Sequence, residues 1–230
     1  MPRFVFLFLL AALLSAQSVP EVEITAEPHH HLVFSNAQVR VFSVYVPPHS
    51  ETLMHWHRHD YLYVTLGANR VVNAIKGQPP VTVDLQDGET RFIPTGFAHI
   101  ARNPSGRPFL NVTIELLQDE TLRHSPAPWD QDRGLDILHG GTREILFVKD
   151  AVRVSDFELQ PRGMSPVSPA PYLLVAVSDL QLLQTNHNAP THASDSIRLK
   201  PGEVLWVPAH HRSTLTNMGR IARFVTLEFP

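Results

Sequence analysis

The run Met54-His55-Trp56-His57-Arg58-His59-Asp60 places three imidazoles and a carboxylate within seven consecutive residues. On an extended strand successive side chains alternate faces, so His55 and His57 point the same way and can reach one ion together. Imidazole pairs of this kind suit Fe, Mn, Ni, Cu or Zn, and a further His with a carboxylate completes a four-ligand set for one divalent transition metal. Asp60 is the carboxylate candidate. It shares a strand face with Leu62, Val64 and Leu66, an apolar row expected to line a barrel interior. His59 is a rim residue, a proton carrier or a substitute ligand, and whichever of His59 and Asp60 is not on the metal is the nearest general base.

The chain holds fourteen His and no Cys among 230 residues, which excludes a disulfide scaffold, thiolate metal ligands and a cysteine nucleophile. A formal charge of -3 with 18% charged residues gives no nucleic-acid footprint. No Gly-rich phosphate loop, serine nucleophile elbow or basic aromatic stripe is present. Met1-Pro2-Arg3, the apolar run Phe4 to Leu14, and then Ser15 and Ala16 read as a secretory signal peptide cleaved near Ala16. The run is too short to span a bilayer comfortably. A secreted or periplasmic mature protein without a membrane span is therefore expected.

The elements that must position these residues follow a period of two. Gln38 to Val46, Val81 to Leu85 and Asn111 to Leu116 alternate, each bounded by Pro, Gly, Asn or Asp, and no amphipathic helix stands out. The chain also repeats itself. Leu32 to Pro48 lies on Ile145 to Pro161, and in the same order Tyr61 falls on Tyr172, Gly88 on Gly202, Pro94 on Pro208, Asn103 on Asn217 and Val112-Thr113-Ile114-Glu115 on Val225-Thr226-Leu227-Glu228. The offset stays between 111 and 114 throughout, which predicts two copies of one all-β unit. The resulting divisions are a signal peptide over 1–16, a first domain over 17–124, a Pro-, Asp- and Gly-rich linker over 125–141 and a second domain over 142–230.

After Asp60, six residues lead to Gly67. Gly88 is followed by five residues, Pro94-Thr95-Gly96, two residues, His99, three residues and Asn103. These two motifs resemble those of the cupin superfamily, with the second matching at every position. In the first, two residues separate His57 from Asp60 where the family usually has three or four before a Glu. The resemblance implies two tandem cupin double-stranded β-helix (jelly-roll) barrels, with a metal on His55, His57, His99 and Asp60 of the first. It further implies oxidative cleavage or oxidation of a small organic molecule by an oxygenase or oxidase, with isomerisation or decarboxylation as the close alternatives. A non-catalytic barrel that binds metal or a small ligand is the alternative, and a module whose metal only stabilises the fold is a third. Either a monomer with paired barrels or a homodimer is compatible with the repeat.

Physically, Gly88 allows a tight turn, Pro94 and Gly96 shape a bend, His99 arrives on a neighbouring strand facing the His pair, and Asn103 caps the turn at Pro104. In the second copy the ligand positions fall on Pro166, Ser168, Pro171 and Ser213, while Gly202, Pro208 and Asn217 remain. That copy is expected to fold and to be metal-free, with His210 and His211 in its bend. His29-His30-His31 reads as a solvated segment before the first strand, with a transient surface metal site as the alternative. Trp56 should pack away from the His pair, Phe97 is a pocket-wall candidate, and Arg91 and Arg102 are exposed arginines that could instead hold an anion. Asn111-Val112-Thr113 is a glycosylation triplet by coincidence, since it sits within a strand.

Overall fold

The computed structural model describes residues 20–117, 129, 133–149, 151–167, 169–187, 194–209 and 212–230. The expected signal peptide, Ser168, and the His210-His211 pair lie outside the described residues. Among the described residues the chain is all β apart from one 3-10 turn, Ile24–Ala26, and no helix is long and apolar enough to cross a membrane.

The first half contains β1 (Glu21–Glu23), β2 (His30–Ser35), β3 (Val39–Val46), β4 (Ser50–Glu51), β5 (Met54–His57) and β6 (Tyr61–Leu66). It continues with β7 (Asn69–Ile75), β8 (Val81–Leu85), β9 (Thr90–Ile93), β10 (Phe97–Asn103) and β11 (Phe109–Leu116). Two sheets face each other, one ordered β1-β5-β10-β7-β8 with β4 also on β10, the other β2-β3-β11-β6-β9. The second half comprises β12 (Gly134–Lys149), β13 (Val152–Val167), β14 (Tyr172–Ala176), β15 (Leu180–Asn186), β16 (Ser194–Leu199), β17 (Val204–Val207), β18 (Ser213–Asn217) and β19 (Ala222–Glu228). These form one sheet ordered β16-β15-β18-β13-β19-β14-β17, with β12 on β13. Strand β13 bends through it, pairing with β19 over Arg153–Leu159 and with β18 over Met164–Val167. The bend falls at Arg162, in the left-handed region at φ 66°, and the first half places His49 at φ 54° at the matching position.

Alternation along each strand divides its side chains between two jobs. On β3, Phe42, Val44 and Val46 pack inside the first half with Val71, Leu85 and Phe109, whereas Val39 and Val41 face the other way. Those two join Leu62, Val64, Val112 and Ile114 in a cluster with Val152, Val154, Leu173, Val175, Val225 and Leu227 of the second half. Each such burial contributes on the order of 1.5–3 kcal/mol. The row Leu62, Val64 and Leu66 therefore belongs to the seam between the halves and not to a barrel interior. Tyr61, Tyr63 and Thr65 take the inward positions of β6.

The seam has an approximate twofold character. Phe34 stacks on Trp206 at 6.0 Å, and their repeat counterparts Phe147 and Phe92 meet edge to face at 6.4 Å. Gly88 and Gly202 sit at φ +80° and +85°; a Cβ at the first would meet the Arg223 guanidinium at 2.6 Å and Val177 at 3.3 Å, and one at the second would meet Leu66 at 2.9 Å. These glycines serve the turn and the close approach of the halves together.

Strand β12 begins at Gly134, inside the stretch expected to be a linker. The glycines there serve a tight crossing of two strands: a Cβ on Gly141 would strike the Glu158 carbonyl, and one on Gly163 the Gly140 carbonyl.

Candidate metal centre

Strand β10 lies antiparallel to β5 with His99 opposite His55 and Phe97 opposite His57. This register brings three imidazoles to one point. Nε2 of His57 is 3.2 Å from Nε2 of His55 and 3.1 Å from that of His99, and the third side of the triangle is 3.1 Å. Metal–imidazole bonds of about 2.1 Å require ligand nitrogens roughly 3.0–3.4 Å apart, so the triangle has the size an ion needs.

Hydrogen bonds fix which nitrogen faces the centre. His55 Nδ1 donates to the Leu53 carbonyl at 2.9 Å and His99 Nδ1 donates to Asn73 Oδ1 at 2.6 Å, leaving both Nε2 atoms as lone-pair donors. His57 has no such anchor. Its Nδ1 is buried without a hydrogen-bond partner, and its ring is stacked on Tyr61 at 3.9 Å. Burial drives all three imidazoles toward the neutral, ligating form: His55 is pushed down to about 4, and His57 and His99 well below the ordinary histidine range, with the neighbouring rings adding to the effect. Three neutral imidazoles converging through Nε2 in a buried site are a donor set for a cation.

Beside the triangle lies a cavity of about 140 Å³. Val71, Leu85 and Phe109 make its apolar wall, and Asn111, Thr113 and Arg91 its polar side. Its size is that of a cavity that takes a benzene-sized molecule of about six non-hydrogen atoms. Thr113 Oγ1 donates to Asn111 Oδ1 at 2.8 Å, so the Asn of the glycosylation triplet points inward and is buried.

The remaining expected site residues are placed as follows. Asp60 is half-buried; its Oδ1 accepts the Thr95 amide at 2.7 Å and its carbonyl accepts the Leu116 amide at 2.8 Å. The backbone bond recurs in the second half from Phe229 to Pro171 at 2.9 Å, so the position has a fold-holding part in both copies. His59 is half-buried on the bend after β5. Trp56 donates to Glu21 and lies under the Arg58 guanidinium, away from the triangle. Phe97 meets His99 edge to face at 5.5 Å. Arg102 pairs with exposed Glu51, while Arg91, paired with Glu89, reaches the cavity.

Two residues absent from the expected set enter the site. His30 is 9% exposed and not solvated: it opens β2, lines the cavity, and its ring lies 4.7 Å from that of His55. Glu27 is 1% exposed and accepts from His29, His30 and the Leu53 amide. Burial alone would raise the Glu27 carboxyl, but the hydrogen bonds from His30 and His29 outweigh it and bring it down to about 2. An acidic residue three positions before a His was the available signal; nothing local shows that both are enclosed.

In the second half the corresponding space is filled. Val44 and Asn111, which line the cavity, have Phe157 and Phe224 as counterparts, stacked at 4.7 Å and 6°. The space left beside them is about 10 Å³, at the limit of one water. One polar element is kept in both copies: the Arg40–Glu115 pair recurs as Arg153–Glu228, each with its carboxylate buried.

Facing sheets around a histidine triangle define a cupin-type β-barrel fold, and solved structures share it. Oxalate decarboxylase of Lactobacillus farciminis in its formate complex aligns with a TM-score of 0.61 over 85% of this chain and 78% of that one, at 13% identity. The Bacillus subtilis oxalate decarboxylase at pH 4.6 gives 0.58 over 84% and 68%, at 12% identity, and another structure of that enzyme is described with its Mn(II) centres. At such identities the likeness is one of fold. No family model and no curated protein matches the sequence.

Proposed function

We propose that the chain is an exported metal-dependent enzyme that holds one divalent transition metal on His55, His57 and His99 and oxidises, oxygenates or isomerises a small organic molecule. The observation that carries this reading is the buried Nε2 triangle opening onto a cavity of about 140 Å³. A bound ion of this class supplies Lewis acidity and, where redox-active, an electron-transfer centre. The protein's part is to present three neutral nitrogens, keep water out with Val71, Leu85 and Phe109, and receive a polar group at Asn111 or Arg91. His59 is the proposed proton carrier, and Asp60 is proposed to position the turn between β9 and β10 through Thr95. Structural kinship with oxalate decarboxylases supports a small substrate, and the N-terminal leader pattern supports export.

Elemental analysis of the protein expressed with Fe, Mn, Ni, Cu and Zn supplied tests the metal. About one equivalent of one ion is expected, falling to background in His55→Ala and His99→Ala, and less than about 0.2 equivalents of every ion in the wild type overturns the reading. Oxygen uptake and product analysis over catechols, hydroxy acids and diketones test turnover. A second reading, a ligand-binding barrel without turnover, is favoured by the engagement of Glu27 and Asp60 with fixed backbone and side-chain donors. Metal at full occupancy with silence across the whole substrate panel selects it.

A further inference from the structure

We infer that His30 is a further nitrogen ligand of the metal centre beside His55 and His57, delivered by the N-terminal segment and oriented by Glu27. The inference rests on the metal-binding reading above and adds to it a ligand from outside the two sequence motifs. A ligating nitrogen of His30 lies within 4.8 Å of those of both His55 and His57. Its Nδ1 is held by Glu27 Oε2 at 2.6 Å, which leaves Nε2 as the nitrogen available to an ion. This is the arrangement of a ligating histidine whose other nitrogen is anchored by a carboxylate.

Several independent features fix His30 there. Its ring meets Phe42 edge to face at 6.2 Å and lies against His55, so its plane is set by packing as well as by Glu27. Glu27 is anchored in turn, since it accepts the Leu53 amide at 3.2 Å while the Leu53 carbonyl accepts from His55. The backbone of one residue, Leu53, thus ties the orientation of His30 to that of His55. The segment carrying both residues is fastened to the same sheet: β1 runs parallel to β5 with Val22 opposite His55, and Glu21 bonds Trp56 and Lys76 while Glu23 bonds Arg58. Asp60, the nearest carboxylate along the chain, is engaged by Thr95. His30 adds an imidazole to the set, with the Glu27 carboxylate one hydrogen bond behind it.

The test compares wild type, His30→Ala, Glu27→Gln and His55→Ala, each loaded with Co(II) or Cu(II). Metal affinity is measured by chelator competition, and the number of coordinated nitrogens by EPR of the Cu(II) form. His30→Ala is expected to weaken binding about 100-fold and to remove one nitrogen from the spectrum, and Glu27→Gln to weaken it about tenfold through lost orientation. Thermal unfolding of the metal-free proteins controls for folding, and if His30→Ala does not fold, the Glu27→Gln affinity and spectrum decide. Wild-type affinity and nitrogen count in the folded His30 or Glu27 variant, with metal lost in His55→Ala, overturn the role of His30 and leave the metal site standing. Absence of binding in the wild type overturns both.

Discussion

Asn73 is one of the residues that decide whether the imidazole triangle works as a ligand set. By accepting from His99 Nδ1 it holds the Nε2 lone pair toward the centre, and a ring free to turn or change tautomer would lose that preorganisation. Asn73→Leu, close in size but without an acceptor, should weaken metal binding about 10- to 100-fold, and Asn73→Asp should restore most of it; chelator competition reads both. His57 differs in kind. It is aligned by stacking on Tyr61, so its fidelity depends on the packing of an aromatic neighbour and not on a hydrogen bond.

At the scale of elements, the motif asparagines are load points of the strand ends. Asn103 Nδ2 donates to the carbonyls of Val46, Pro47 and Arg107 while its Oδ1 accepts the Ser105 amide, and Asn217 does the same with Leu159, Gln160, Arg220 and Gly219. Asn103→Ala and Asn217→Ala should each cost about 2–4 kcal/mol, seen in urea unfolding, because each strands several buried carbonyls. These positions were legible in the sequence, since the repeat preserved them, and so were His55, His57 and His99, whose spacing needs only strand alternation. The facing of β6 was not legible. Tyr61 and Tyr63 on one side and Leu62 and Val64 on the other are both apolar, and alternation separates faces without saying which one is enclosed by a barrel and which by a second domain. Glu27 and His30 were illegible for a related reason, as a short polar stretch before a strand looks solvated until the N-terminal segment is laid against β5. The glycines near 140 looked like a linker because close backbone crossing and chain flexibility call for the same residue.

At the scale of the whole molecule, the two halves are held by aromatic contacts that occur in counterpart pairs and by the ion pair of Asp87 with Arg223 at 2.6 Å, whose repeat counterparts Pro201 and Leu110 are uncharged. Asp156 lies on the same face of β13 as Val152 and Val154, near Arg223, and its Oδ1 is buried without a partner. Burial pushes its carboxyl up to about 6 from an ordinary 3.8, against the pull of Arg223. A folded-state value above the unfolded one means that the native protein is penalised as the group ionises: the penalty is absent below the unfolded value and full above the folded one. Asp156→Asn should therefore stabilise the protein by about 1–3 kcal/mol at pH 8 and by much less at pH 4, in urea unfolding at the two pH values. The division of β3, β6 and β11 into a face toward the cavity and a face toward the partner domain carries a consequence for how such a protein changes over time. Neighbouring residues are free to change for separate reasons, one set governing what the cavity admits and the other how the two halves cohere. Tyr63, Asn111 or Thr113 can be replaced to suit a new ligand while Leu62, Val112 and Ile114 keep the two halves in register, and the half whose cavity is filled by Phe157 and Phe224 still offers the other a packing surface.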